Sequence, residues 1–188
     1  AGCEVITEKP LTIDAAKSAY TSRELVKLDE SQVFSLLRLA NGDLLAATSP
    51  RGALCLIRDG KLVARVGLPV DSLFDLLPLD KRTVLVATGN PGRIYRVDLK
   101  KFSAATVLPE KLADEAALAS HGIALFGEVR DRNVRRLAQL ADGRIAAGSA
   151  PRGNLYAFPH DGGAPVILQE NRDAEVTDLL AEPNGDLY

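Results

Sequence analysis

Three segments of this chain share one pattern: Ala47-Thr48-Ser49-Pro50-Arg51-Gly52, Ala87-Thr88-Gly89-Asn90-Pro91-Gly92 and Gly148-Ser149-Ala150-Pro151-Arg152-Gly153. The first two closing glycines are 40 residues apart, and self-similarity at such a period marks a chain of stacked supersecondary units. One unit of that size cannot bury its apolar face alone. It must lean on the next, so the repeat restricts the fold to a stacked or radial array.

Aligned on Gly52, Gly92 and Gly153, the units agree at further positions. Turn glycines Gly42 and Gly143 precede two of them by ten residues, Asp80-Lys81-Arg82 serves in the other, and a fourth turn stands at Asn184-Gly185. An aliphatic residue lies nine positions before each turn (Val33, Leu73, Val134, Val176), and a leucine six before it (Leu36, Leu76, Leu137, Leu179). Within a unit the pattern predicts short strands. In the first unit these are 33–39, buried on both faces, then 44–48, 53–57 and 62–66. The Asn-Gly and Asp-Gly pairs predict two-residue hairpins with both central residues at positive φ. In the second unit strands are expected at 84–88 and 93–97, and in the third at 145–149, 154–158 and 165–168. Four short strands per unit with Gly/Pro turns describe a β-propeller blade. The fold class is therefore all-β: about three complete four-stranded blades plus parts of another.

Two regions depart from the repeat. Gly92 and Gly153 are 61 residues apart, and the surplus defines an insertion over about 102–124. Pro109 to Leu118 reads as helical, with proline first, acids early, and alanine and leucine throughout. Leu112, Ala116 and Ala117 would be its apolar stripe, either capping a sheet edge or docking a partner, with capping preferred. Leu125 to Val129 resumes the sheet. At the ends, Glu24 to Leu28 reads as a fourth strand and Val176 to Tyr188 as a first strand with the start of a second. The organisation is thus a segment 1–23 followed by propeller repeats over 24–188. Open blades are liabilities, so ring completion by the rest of a longer chain, or by another subunit, is expected.

Composition narrows function by exclusion. A formal net charge of −2 and a pI near 5.8 give no reason to bind nucleic acid. No apolar run is long enough for a transmembrane segment. Methionine is absent, so the chain is read as processed or excised. Ala1-Gly2-Cys3 matches the end of a lipoprotein cleavage region, but the apolar segment before such a site is missing, and a plain cysteine is the preferred reading of Cys3. Cys55 is expected to pack as a small hydrophobe. Two cysteines are too few for a disulfide framework or a zinc site, and no metal or cofactor is expected.

Asn90-Pro91-Gly92-Arg93-Ile94-Tyr95-Arg96-Val97-Asp98 resembles the "pGrIyRvD" segment of bacterial WD40-like propeller repeats. Asn41 to Thr48 and Asn184 to Tyr188 are similar to the "dGnLyaaT" half of the same repeat. A looser resemblance is to the propeller repeats of two-component sensor ectodomains, without their tryptophan. The resemblance covers about residues 24–188 apart from the insertion. It implies a propeller of an exported or cell-surface bacterial protein, and no shared activity or site residues, because fold does not imply function.

In a propeller the loop between second and third strands shares a face with the connections between blades. That places Arg51, Asn90 and Arg152 beside Asp29-Glu30, Asp71, Asp131-Arg132 and Asp173-Ala174-Glu175. This polar rim either recognises a protein partner or small anionic ligand, since arginine forks suit carboxylate and phosphate, or pairs internally and locks blades. The second reading is preferred. A metal-dependent hydrolase or lyase would use the channel, where Asp75 and Asp178 share one phase of the repeat with Ser35 and Arg136. Neither His121 nor His160 has a catalytic constellation around it. The expected function is a non-catalytic scaffold for protein or ligand binding; the alternatives are the channel enzyme and a sensor ectodomain fragment. Tyr95 and Tyr156, at matching positions to Cys55, are expected to be core residues with satisfied hydroxyls.

Overall fold

The computed structural model describes residues 24–172 and 174–188; Cys3 and the segment 1–23 lie outside them. Blade 1 is β1 (Gln32–Arg38), β2 (Leu44–Ser49), β3 (Ala53–Arg58) and β4 (Lys61–Gly67), each antiparallel to the next. Blade 2 comprises β5 (Ser72–Pro78), β6 (Thr83–Gly89), β7 (Arg93–Asp98) and, after the insertion, β9 (Ile123–Glu128). Blade 3 is β10 (Asn133–Gln139), β11 (Ile145–Ala150), β12 (Leu155–Phe158) and β13 (Val166–Gln169). The insertion holds α1 (Leu99–Phe102), β8 (Val107–Lys111) and α2 (Glu115–Ser120).

The period-2 alternation of the middle strands decides how the blades pack, because successive side chains point to opposite faces. Val84 and Val86 join Leu45, Leu54, Leu56 and Leu73 in a core between blades 1 and 2. Leu85 and Ala87, one residue out of phase, join Ile145, Ala147 and Phe158 in a second core between blades 2 and 3. Each such aliphatic side chain contributes about 1.5–3 kcal/mol when fully buried. The phrase glycines allow this stacking. A Cβ on Gly52 would lie 2.5 Å from Val70 O, one on Gly92 2.4 Å from Asp131 O, and one on Gly153 2.6 Å from Ala174 O. In all three units the backbone leading into the next blade crosses directly over the glycine.

Several sequence expectations need correction. The Asn41-Gly42, Asp142-Gly143 and Asn184-Gly185 turns have positive φ only at the glycine. Gly42 N–H donates to Leu39 O while Leu39 N–H donates to Asp43 O, and the same pair of bonds recurs at Leu140 to Arg144 and Glu182 to Asp186. This is the three-residue hairpin, a type I turn closed by a left-handed glycine. Asn41 Oδ1 accepts from Asp43 N–H, supplying the side-chain brace that asparagine offers such turns. Only Asp59-Gly60 has both residues at positive φ.

The strand expected at 33–39 is not buried on both faces: Leu36 is 62% exposed, whereas Leu76 and Leu137, its counterparts, are 7% and 6% exposed. Among the described residues no blade precedes β1, so its outer face meets nothing. Residues 24–28 form no strand; Val26 and Leu28 pack over Ala46, Cys55 and Ile57. At the other end, Ala181 and Leu187 form a single bridge within a short hairpin.

The helix expected from Pro109 begins only at Glu115, with Asp114 as its N-cap. Residues 107–111 instead pair in parallel with β4, the outer strand of blade 1. The edge is covered, by a strand and not by the helix, because β4 offers unpaired backbone groups that an extended segment satisfies. Leu118 of α2 and Phe102 of α1 then anchor the insertion in the first core.

Candidate functional site

The loops between second and third strands lie against the lead-in to the first strand of their own blade. In blade 1, Arg51 Nε donates to Glu30 Oε2 at 3.3 Å, and its terminal nitrogen donates to Asp29 O. In blade 2, Asn90 Nδ2 donates to Asp71 Oδ2. In blade 3, Arg152 Nε is 3.0 Å from Asp131 Oδ1. The five rim residues read from the sequence (Arg51, Asn90, Arg152, Asp71 and Asp131) are thus brought together as pairs within each blade, Arg51 taking Glu30 as its acid. These pairs do not bridge neighbouring blades. Contacts between blades on this face come from other groups: Ser49 Oγ with Ser72 Oγ at 2.8 Å, and Asn90 N–H with Arg132 O at 2.8 Å.

Glu30 and Asp131 occupy the same repeat position, three residues before the aliphatic marker of the first strand. Their side chains are 1% and 0% exposed, whereas Arg51 and Arg152 above them are 49% and 59% exposed. A buried carboxylate is tolerated only when paired and hydrogen-bonded, and each blade meets that demand differently. Asp131 Oδ2 accepts from Ser149 Oγ (2.6 Å), Tyr156 OH (2.8 Å) and Asn154 Nδ2 (2.9 Å). Its Oδ1 faces Arg152 without the alignment of a hydrogen bond. Burial pushes the Asp131 carboxyl upward, but the bonds from Ser149, Tyr156 and Asn154, with the Arg152 charge, hold it below the ordinary carboxylate value. In blade 1 the tyrosine position is Cys55, which supplies no comparable donor. Arg65, on β4 and nearly buried, replaces it, donating to Glu30 Oε1 at 2.6 Å and to Leu108 O at 2.6 Å. Burial pushes the Cys55 thiol up to about 12, which leaves it protonated and unreactive. Blade 2 has Val70 at the acid position and Pro91 at the arginine position, and uses Asp71, one residue later, and Asn90, one residue earlier.

The channel residues behave differently. Asp75 Oδ2 accepts the Leu137 backbone N–H of the next blade at 3.0 Å, and its Oδ1 accepts from Leu76 N–H. Asp178 lies 3.5 Å from Arg136 Nε and accepts from Leu179 N–H. Each carboxylate is thus engaged by partners of its own. Among the described residues no group of three or more His, Cys, Asp or Glu is placed to hold a metal ion. His160 Nδ1 lies 3.1 Å from Gly143 O in a turn, and His121 caps the end of α2.

Sequence reasoning missed the aromatic residues at the first-strand bulges. Phe34, Phe74 and Arg135 are the extra residues of three equivalent bulges. They stack in series, Phe34 to Phe74 at 5.1 Å and Arg135 over Phe74 at 4.2 Å. Their common phase was readable; the bulge that turns them toward one another was not.

Radial four-stranded blades, each burying one face on the next, decide the architecture. The fold is a β-propeller. The chain is similar to the WD40 propeller domain of Doa1 (15% identity, TM-score 0.60, 83% of this chain and 46% of that one). It is also similar to the propeller domain of Myceliophteria thermophila Cps50 (Swd1) (21%, 0.56, 81% and 48%). A third likeness is to the extracellular domain of the putative hybrid two component system BT4673 from B. thetaiotaomicron (17%, 0.57, 85% and 20%). The chain spans less than half the length of each. No family model matches the sequence, and no curated protein matches it.

Proposed function

We propose that this propeller is a non-catalytic binding platform whose rim, carrying Arg51 and Arg152 with Asn90 between them in the repeat, engages an acidic segment of a protein partner. The supporting observation is the contrast within each of the two arginine pairs. The carboxylate beneath is buried and fixes the guanidinium from one side, while half of the arginine remains open to solvent. A guanidinium held in this way keeps outward donors pre-organised for a second carboxylate. An exported or cell-surface bacterial location belongs to the same reading, supported by the repeat resemblance and by the extracellular domain that shares the fold.

Binding of a fluorescent hexaglutamate peptide, followed by anisotropy at low salt, tests the proposal. Arg51→Ala with Arg152→Ala should weaken binding about tenfold or more, and added salt should weaken it in the wild type, as exposed charge contacts are screened. Equal binding by wild type and double variant would remove the rim from the reading. Stoichiometric Ca²⁺ or Mg²⁺ retained through purification would instead favour the channel enzyme.

A further inference from the structure

The repeat gives a controlled comparison between Tyr95 on β7 and Tyr156 on β12, which occupy the same register position opposite Val86 and Ala147. Both are 3% exposed. Tyr156 spends its hydroxyl hydrogen on Asp131. In blade 2 the matching acid position is Val70, and the Tyr95 hydroxyl donates to no acceptor among the described residues. Its polar neighbour is Arg93, whose Nε is bound to Glu128 Oε2 at 2.8 Å. Arginine only donates, so its approach to the phenol oxygen leaves the phenol hydrogen unspent. That hydrogen is left for water or for a ligand oxygen to accept.

The space for such a group is present. Tyr95 and Arg93 line a recess of about 360 Å³ closed by Leu118 and Ala119 of α2 and by Ile123 and Leu125 of β9. The insertion therefore makes the recess: blade 3, which has no helix between its third and fourth strands, has no counterpart to α2. Its volume and its mainly apolar lining with few polar groups are those of a small-molecule site. Glu115 on the lining and Glu128 on the arginine offset the one guanidinium, so an anion gains little there.

We infer that the recess under α2 binds a small, uncharged, largely apolar molecule through one carbonyl or ether oxygen that accepts the Tyr95 hydroxyl, a site separate from the arginine rim.

Acetophenone and ethylbenzene, similar in shape and differing in the carbonyl, serve as probes in chemical-shift titrations of the whole chain. Saturable acetophenone binding should fall about fivefold in Tyr95→Phe, the loss of one neutral hydrogen bond, while ethylbenzene binding stays unchanged. Leu118→Trp should abolish binding of both by filling the recess. Ala119→Trp, on the exposed side of α2, gives the same readout if the Leu118 variant fails to fold. Absence of saturable acetophenone binding, or an unchanged affinity in Tyr95→Phe, overturns the inference.

Discussion

At the residue scale, the buried acids under the rim arginines carry the sharpest consequences. Asp131 is charged, inaccessible and held by three side-chain donors, so its protonation is coupled to folding. Its native value is depressed, and the ordinary aspartate value is about 3.9. The stabilisation from its charge is therefore fully present above about pH 4 and lost as pH falls through the lower native value. Asp131→Asn should cost about 1–3 kcal/mol near neutrality. Because a protonated aspartate resembles asparagine in charge, the gap in urea midpoint between wild type and variant should narrow steadily as pH drops below 4. A gap that stays constant with pH would show that the carboxylate charge contributes nothing there. The candidate rim itself was legible at this scale, because Arg51 and Arg152 sit at one offset from their glycines. Arg65 was hidden: it lies on an outer strand, and only the folded blade brings it to Glu30 across 35 positions of sequence.

At the element scale, the glycine that closes each phrase serves packing as much as turn geometry. Gly52 and Gly153 have positive φ, whereas Gly92 does not, so the feature common to all three is the backbone of the next blade lying over the missing Cβ. Gly92→Ala is thus a test of blade-to-blade contact without the backbone strain of a left-handed residue. It should destabilise by about 1–3 kcal/mol, as over-packing in a close-packed interior does, with a lowered thermal midpoint in calorimetry. An unchanged midpoint would mean that the crossing backbone yields freely. The insertion shows the opposite balance between local signal and context. Composition favoured helix from Pro109 onward, yet 107–111 became a strand because the β4 edge supplied partners that an isolated segment lacks. Propensity decided only the part after Asp114, where a cap and an alanine-rich stretch agree.

At the scale of the whole molecule, the described blades form an arc that leaves an apolar flank uncovered on β1. Val33, Phe34 and Leu36 on β1 are exposed, although the equivalent positions of blades 2 and 3 are mostly buried. Apolar surface of this kind is a site of association. The 188-residue chain should show concentration-dependent self-association in sedimentation velocity, and Leu36→Asp should shift it toward monomer without altering the circular dichroism spectrum. Sedimentation independent of concentration in the wild type would show that the flank is covered by some other part of the chain.

The sequence by itself determined the unit, its strand content and the rim loops, because the 40-residue recurrence and the turn residues report local geometry repeated in register. Only the tertiary structure decided which acid each arginine takes, where the insertion lies and why Tyr95 differs from Tyr156. Those outcomes depend on contacts between residues far apart in the chain, and no periodicity encodes which neighbour a side chain will meet.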